Sequence, residues 1–534
     1  MRGADLIVKT LVEVGVSKIF SLSGNQIMPI YDACINANIE IIHTRHEASA
    51  VFMADAYAQL TGKIGVCLVT AGPGMSNALG PLYTARQSES PVLLLTGDSP
   101  TNLDKRGAFQ ELDQITMTAV MTKKSFRATS IKDLGDDLVH AIKIATSGRP
   151  GPVHVALPFD VIQRNASGVP IPKNDKIINS THQMGNKVID NILRILNEAE
   201  FPVIITGPAL SITRTGNMQK KLSTALNTPI ITMESPRGLN DPALGDLKQV
   251  LARADVIFCL GKPVNYSIGF GDPTIFNDDV KWIVIDAEVS EINRACLNLG
   301  ARLELSFITD PKDFAFKLID ENITIDRSVW FKNVTKLLAK RNYLPTDSHP
   351  SGKITPASLC TILQKKITSM TNTVVICDGG EFGQWCQAGI TANYKIINGP
   401  SGAIGGALCY GIAAKKAFPD SNVFSLMGDG TVGFHFAEFE TAVRSNTPFV
   451  VVIGNDECWN AEYQIQIQKY GIDRAIGCNL SGARYDKAVE AMGGHGEFVT
   501  KLTDLDAALN RAVNSGKVAC INVLIEGIPA PDAS

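Results

Sequence analysis

The sequence predicts an α/β protein built from three doubly wound parallel-sheet domains. Three observations lead there. The chain has 534 residues, too long for a single hydrophobic core and suited to three domains of ordinary size. Short apolar runs rich in Val, Ile and Leu recur along it. Each ends in a glycine-rich or polar corner and is followed by a segment of helical periodicity, the alternation that gives a parallel sheet covered by helices. Two stretches, 164–186 and 342–356, lose this rhythm and gain Pro, Asn and Ser, so they read as linkers. They set the domains at 1–165, 187–340 and 354–534.

Composition narrows the function classes. Hydrophobic residues make up 45% and charged residues 19% of the chain, and the net charge is −3, values of an ordinary globular protein. Without a basic patch or charge block, neither nucleic acid nor an anionic membrane is expected as a partner. No apolar run approaches the roughly 18 residues that a spanning helix needs. The amino terminus has an acid at Asp5 and no long apolar core, so no signal peptide is expected. Eleven cysteines carry no C-x-x-C pair, which argues against structural zinc or a disulfide framework and suits a reducing cytoplasm.

In the first block, residues 4–20 read as an amphipathic helix, a stop at Gly15 and a strand. A polar loop, 21–26, follows. A second strand at 39–44 leads through Arg45-His46-Glu47 into an Ala-rich helix, 48–60. Then come a strand at 64–69, a Gly/Pro loop at 70–77 before another helix, a strand at 91–96 running to Gly97-Asp98, and a closing strand within 150–158. Strands of such a sheet present their carboxyl ends along one edge. Here that edge would gather Gly24, Asn25, Gln26, Glu47, Gly72, Asn77 and Gly97. Taken alone, Glu47 is a first-turn acid favoured by the helix dipole. Gln110, if buried, needs partners for both halves of its amide, which suits orienting a ketone or hydroxyl.

The central block has strands at 202–207, 229–233, 256–261 and 282–286. Asp286 lies at a strand end, where a Rossmann-like domain holds an adenine ribose, but no G-x-G-x-x-G precedes it. In the third block a strand at 373–377 meets Asp378, and the pair Gly379-Gly380 that follows it is a candidate diphosphate cradle. The strand at 422–427 ends at Gly428-Asp429-Gly430, with Thr431 next. Two glycines around an acid let backbone N–H groups approach an anion. A helical segment at 437–444, Pro448 and a strand at 449–453 follow, ending in Asn455 and Asp456; a last strand spans 519–525. In a βαβ unit both acidic ends emerge at one edge. Asp429 and Asp456 could then share one Mg²⁺ or Ca²⁺, with phosphate oxygens completing the shell.

These motifs resemble a known family. Gly428-Asp429-Gly430, a helix and the paired Asn455-Asp456 are similar to the diphosphate–metal motif of thiamine-diphosphate (ThDP) enzymes. The run RHEASAVFMADAYA at 45–58 and the segment 105–124 resemble the branch that includes acetolactate synthase, benzaldehyde lyase and 2-hydroxyacyl-CoA lyase. The resemblance covers nearly the whole chain. It implies a pyrimidine-binding first domain, a central domain and a diphosphate-binding third domain.

Several roles follow from the resemblance. Glu47 would hydrogen-bond N1′ of the aminopyrimidine and favour the imino tautomer, whose 4′-nitrogen takes the proton from C2. Asp429 would be a metal ligand, Asp456 another in place of the family's usual second Asn, and the carbonyl of Cys458 the third. The loop 398–407 would offer the Gly402 carbonyl to the 4′-amino group and the Ile404 side chain as the wedge that bends the cofactor. Trp459 would cover the thiazole side. Gly72, Asn77, Gly379, Gly380, Gly428, Gly430 and Thr431 would complete the cofactor contacts. Phe109-Gln110 matches a pair near the substrate, Lys123 matches a Lys after a Thr, and Gln26 stands where benzaldehyde lyase has a His.

The implied cofactors are ThDP and Mg²⁺. Central domains of this branch hold FAD, ADP or nothing; Gly261-Lys262-Pro263 replaces the Asp-Arg pair of acetolactate synthases, and neither nucleotide is expected. The implied activity is carboligation or decarboxylation of a small keto acid such as pyruvate, or of an aldehyde. The alternative is a lyase of 2-hydroxy ketones or 2-hydroxyacyl-CoA thioesters. A non-catalytic paralogue is the reading from another class, and retention of Glu47 speaks against it. A homodimer or homotetramer is implied, with active sites between the first domain of one subunit and the third of another.

Overall fold

The computed structural model describes residues 1–173, 186–341 and 351–531. Most of both expected linkers therefore lies outside the described residues. Of the first, residues 164–173 carry no helix or strand, only a turn and an isolated bridge between Asn165 and Arg2, and Asn186 already opens a helix, Asn186–Glu198.

Three sheets, every paired strand parallel, form the frame. The first contains β1 (Lys18–Ser21), β2 (Glu40–His43), β3 (Gly65–Val69), β4 (Val92–Asp98), β5 (Lys124–Arg127) and β6 (Val153–Pro158). The second contains β7 (Pro202–Thr206), β8 (Ile230–Thr232), β9 (Val256–Leu260), β10 (Lys281–Asp286) and β11 (Leu303–Ile308). The third contains β12 (Thr373–Cys377), β13 (Tyr394–Ile397), β14 (Asn422–Gly428), β15 (Val450–Asn455), β16 (His495–Val499) and β17 (Ala519–Leu524). The six-stranded sheets run β2-β1-β3-β4-β6-β5 and β13-β12-β14-β15-β17-β16, the same order counted from each sheet's first strand. The five-stranded sheet runs β11-β10-β9-β7-β8.

Alternate residues of one strand feed different cores, the period of two that a sheet covered on both faces requires. Phe424 and Leu426 pack into one cluster, Val423 and Met427 into another. The second cluster is continuous with the first sheet, whose Cys67, Val69, Val92 and Leu94 belong to it. Its middle layer is two helices, Glu47–Thr61 and Ala407–Ala417. Both are rich in Ala, and small side chains let helices pack closely along their length. One polar network lies in this interface. Tyr410 donates to the buried Asp55 carboxyl, which also accepts from Gln59 Nε2 at 2.9 Å. The first and third domains of one chain are thus joined through a common core.

Four strands depart from the sequence reading: β5, β11, β13 and β16 were not expected. Each is an edge strand with mostly half-exposed residues, so its sequence shows no continuous apolar run. The expected loop at 70–77 is shorter than predicted, because Pro73–Asn77 is already helical; Pro in the first turn loses no hydrogen bond there.

Candidate active site

In an open parallel sheet, ligands bind beyond the strand carboxyl ends where the strand order reverses. In the third sheet that point lies between β12 and β14, which pair with Cys377 beside Leu426. A cavity of about 230 Å³ opens there. Gly379, Gly380, Gly428 and Gly430 supply its backbone wall, and Asp429, Asp456 and Thr431 face it.

Asp429 begins a short helix, Asp429–Val432, and is 2% exposed. Its Oδ2 is buried with no hydrogen-bond donor, a cost that native structures rarely leave uncompensated. Gly428 pairs with Gly454 across β14 and β15, which brings Asp456 to the same edge. Burial pushes both carboxyls above the usual range, and the charge of Asp429 pushes Asp456 further. Two carboxyls placed this way do not readily both ionise. Asn455, expected beside Asp456, does not face the cavity. Its Nδ2 donates to Asn522 Oδ1 at 3.1 Å, and its Oδ1 accepts from Glu457 N at 3.1 Å. The Cys458 thiol is pushed up to about 12 by burial, so it stays protonated and only its carbonyl is left as a hard ligand. Among the described residues no group of three or more His, Cys, Asp or Glu side chains is placed to hold a metal. Two carboxylates with backbone and ligand oxygens is the set this site offers.

The cavity walls depend on close approach. A Cβ on Gly430 would lie 2.6 Å from the Trp459 ring, and one on Gly379 would lie 2.6 Å from Ile404 Cγ2. Ring and wedge therefore rest on bare backbone. Ile404 is half-buried on the cavity wall rather than in a core. The backbone at Gly402 is left-handed, φ +68°, and it too lines the cavity. Asp378, which sequence reasoning passed over, organises this side. Its Oδ1 accepts from Gly379 N at 2.7 Å and Gly405 N at 2.9 Å, and its Oδ2 from Ala407 N at 3.1 Å. One carboxylate thus ties the end of β12 to the loop that carries Gly402 and Ile404.

The first sheet has its own cluster at the equivalent point, between β1 and β3. Glu47 opens its helix, with His46 as the cap that accepts from Ala48 N. Asn77 Nδ2 donates to Glu47 Oε2 at 3.0 Å, and the backbone at Gly74 passes close to Glu47 Oε1. Gly72, φ +59°, lies against Gln110, where an added Cβ would sit 3.1 Å from Gln110 Cβ. Gln26 is 5% exposed and its Nε2 donates to Phe109 O at 3.1 Å. The carbonyl oxygens of Gln26 and Gln110 are both buried without partners. Lys123, by contrast, caps a helix end, donating to the carbonyls of Ile144 and Ser147 at 2.6 Å each.

Each half is assembled, but not in one cavity. Among the described residues, none of the first domain lines the cavity that holds Asp429. The wall that the third domain leaves open is supplied by Pro236 and Arg237 of the central block, which carried no motif signal. Asp286 is engaged inside the fold. Its carboxylate pairs with Arg149, which also pairs with Glu89, and it accepts from Glu288 N at 3.0 Å.

Comparison with known proteins bears on both halves. The family model "Thiamine pyrophosphate enzyme, N-terminal TPP binding domain" matches residues 1–117. That for the C-terminal TPP binding domain matches residues 378–523. The chain is 29% identical to a probable acetolactate synthase of Mycobacterium bovis, over 98% of this chain and 96% of that one. It is 28% identical to a probable acetolactate synthase large subunit of Methanococcus aeolicus, over 98% and 92%. It is 26% identical to 2-hydroxyacyl-CoA lyase 2 of Danio rerio, over 98% and 92%.

Proposed function

The chain belongs to the thiamine pyrophosphate enzymes, carrying both of their cofactor-binding domains, and from that premise we propose that it joins or splits carbon–carbon bonds as an acetolactate-synthase-like carboligase or decarboxylase of a small 2-keto acid such as pyruvate. The observation that carries the reading is the orphaned Asp429 Oδ2 facing Asp456 in a glycine-walled crevice. That donor set fits a divalent cation bound together with a diphosphate.

When bound, ThDP supplies an electron sink next to a substrate carbonyl. The chain's residues do the rest. Asp429, Asp456 and the Cys458 carbonyl would hold Mg²⁺, and the N–H groups around Gly379, Gly380, Gly428 and Gly430, with Thr431, would receive the diphosphate. Ile404 and Trp459 set the shape of the slot, and the Gly402 carbonyl would accept from the ring's amino group. Glu47 would hold and release a proton at the aminopyrimidine, with its carboxyl kept in place by Asn77. Gln26 and Gln110 bind the substrate oxygens. Because the cavity around Asp429 takes no residue from the first domain of its own chain, Glu47 comes from a second copy. The working unit is a homodimer or homotetramer with active sites between subunits.

A lyase of 2-hydroxyacyl-CoA thioesters or 2-hydroxy ketones is the second reading. It is favoured by relatives named 2-hydroxyacyl-CoA lyase 2 that match 98% of the chain. A substrate panel with added ThDP and Mg²⁺ separates the two. CO₂ release with acetolactate or acetoin formation from pyruvate supports the first. Cleavage of a 2-hydroxyacyl-CoA with no turnover of pyruvate replaces it with the second.

A further inference from the structure

We propose that Glu438 of the third domain is a positioning residue for Glu47: its carboxylate fixes the short turn that carries Glu47 to the edge of the first sheet. The inference rests on the reading above, in which Glu47 works in a site completed by a second copy. It adds a residue that lies outside the lining of the Asp429 cavity.

The first domain holds this turn only in part. After β2 the chain passes through Thr44, Arg45 and His46 before Glu47 opens its helix. Thr44 is tied inward, with its N donating to Ser21 O at 2.9 Å and its Oγ1 to His46 O at 2.9 Å. The next amide finds its acceptor in the third domain: Arg45 N donates to Glu438 Oε1 at 2.9 Å. Glu438 is 1% exposed, and among the described residues its Oε2 meets no donor. A carboxylate buried for so few bonds is a poor source of stability. What it supplies is a fixed position for the Arg45 amide. Two neighbours act on the same stretch. Arg444, on the same helix Glu438–Arg444, donates from Nη2 to His43 O at 2.6 Å. Ser49 Oγ and His435 Nδ1 lie 3.1 Å apart. The exposed pair of Arg45 and Glu440, 3.8 Å apart, adds little. The chain is thus held at His43, Arg45 and Ser49, on both sides of Glu47, by residues 435–444.

That stretch follows the Asp429 helix directly, through the turn Gly433–His435. One third domain therefore has two tasks. It offers Asp429 to its own cavity, and through Glu438 it sets the Glu47 that its chain lends to a second copy. A carboxyl that must meet one ring nitrogen tolerates little displacement, and a misplacement of about 1 Å can cost about a hundredfold in rate. Loss of the Glu438 acceptor frees the amide two residues before Glu47 and leaves the Asp429 cavity as it was.

Three readouts test it on Glu438→Ala and Glu438→Gln, with thermal melts for each. In protein without cofactor, amide exchange over residues 44–49 should rise about fivefold in Glu438→Ala. It should stay as in wild type in Glu438→Gln, which keeps an acceptor for Arg45 N. With ThDP and Mg²⁺ added, Glu438→Ala should lower kcat about tenfold or more, while ThDP affinity by calorimetry stays within about threefold. Glu438→Gln should restore most of kcat. Mixed dimers isolated through two tags give the third readout. Glu438→Ala paired with Asp429→Ala leaves one whole site and should keep about half the wild-type rate, whereas paired with Glu47→Gln it leaves none. The reverse pattern would mean that Glu438 serves the Asp429 of its own chain, and overturns the inference. So does a Glu438→Ala with unchanged exchange, with kcat within about twofold of wild type, or with ThDP affinity falling as far as kcat. A Glu438→Gln as slow as Glu438→Ala overturns it too. Should Glu438→Ala melt early, Glu438→Leu, which fills the space without an acceptor, takes its place in every arm. An inactive mixed dimer of Glu47→Gln with Asp429→Ala overturns the placement of sites between subunits, and a wild type that takes up no ThDP overturns the cofactor reading. In either case exchange at residues 44–49 still decides whether Glu438 holds the turn of Glu47.

Discussion

The first and third sheets have one strand order and two chemistries. Both place their polar residues where that order reverses, between β1 and β3 or between β12 and β14. In the first, the residues there are long side chains, which suit an organic ring: Glu47 fixed by Asn77, with Gln26 and Gln110 beside Gly72. In the third they are short: Asp429, Asp456 and bare glycine backbone, which suit an ion and a phosphate. The topology decides where a site sits, and the loops decide what it binds. If so, damage to the two halves should separate turnover from binding.

The largest effect is expected in the first half. Glu47→Gln keeps the shape and the hydrogen bond from Asn77 but cannot hold and release a proton. It should lower kcat by about a thousandfold, while ThDP still binds in a titration. A loss of ThDP binding as large as the loss of rate would break the division. In the third half the order inverts. Asp429→Ala removes one of the two carboxylates proposed to hold the cation and should weaken ThDP uptake in Mg²⁺ by about a hundredfold, since even outer partners of a metal site are worth ten- to a hundredfold. Excess cofactor and metal should restore most of its turnover but none of that of Glu47→Gln.

The two halves were also unequally legible from sequence. Gly428-Asp429-Gly430 and Asp456 stand out in the sequence because a phosphate–cation site of the kind proposed would need particular residues at two adjacent strand ends, and β14 and β15 are buried apolar runs that locate those ends. The interior strands of all three sheets could be found in this way. The four that could not, β5, β11, β13 and β16, lie at sheet edges, where exposed residues such as Lys124, Glu304 and Tyr394 and the half-buried Glu497 break the apolar pattern. Asp378 was missed for another reason. Its partners, Gly405 and Ala407, are some 30 residues away, and no local pattern predicts a bond closed by tertiary folding. Arg237 was missed because a turn rich in Pro and Gly reads only as a turn. Asn455 was read with Asp456 as an oxygen-bearing side chain at the strand end, whereas Asn522 opposite it turns that side chain into scaffold.

A third contrast lies one strand from the edge. In the first sheet, β6 buries His154, whose ring nitrogens meet Thr96 Oγ1 at 2.8 Å, Thr118 Oγ1 at 2.8 Å and Ser125 Oγ at 2.9 Å. In the third, β17 buries Asn522 in the corresponding strand. Burial lowers the His154 pKa to about 3 from 6.5. Below pH 6.5 the unfolded chain takes a proton that the fold refuses, so this contribution to stability is full above 6.5 and is lost as pH falls toward 3. At pH 5 the loss is about 2 kcal/mol. Amide exchange in β4 and β6, corrected for intrinsic rates, should therefore accelerate about thirtyfold more than in β15 and β17 between pH 7 and pH 5. In His154→Gln the difference should vanish. Equal acceleration in both sheets would mean that acid acts elsewhere.

The smallest effect sharpens what the first half does with substrate. A glutamine can give or take a hydrogen bond, and the sequence left both open. In the fold the donor end of Gln26 is committed to Phe109 O, and its acceptor end is the one left buried and unpaired, as is that of Gln110. An acceptor receives a hydroxyl proton, not a ketone oxygen, so Gln26, if it lies against the substrate as proposed, would favour a hydroxyl-bearing state over the carbonyl form. Gln26→Ala and Gln110→Ala should each lower kcat by about tenfold with KM changed less, the pattern of an interaction made after binding. Gln26→Glu, which keeps an acceptor but drops the donor to Phe109 O, should retain more activity than Gln26→Ala. If instead Gln26→Glu is the worse of the two, the bond to Phe109, and so the placement of the 109–110 turn, is what Gln26 supplies.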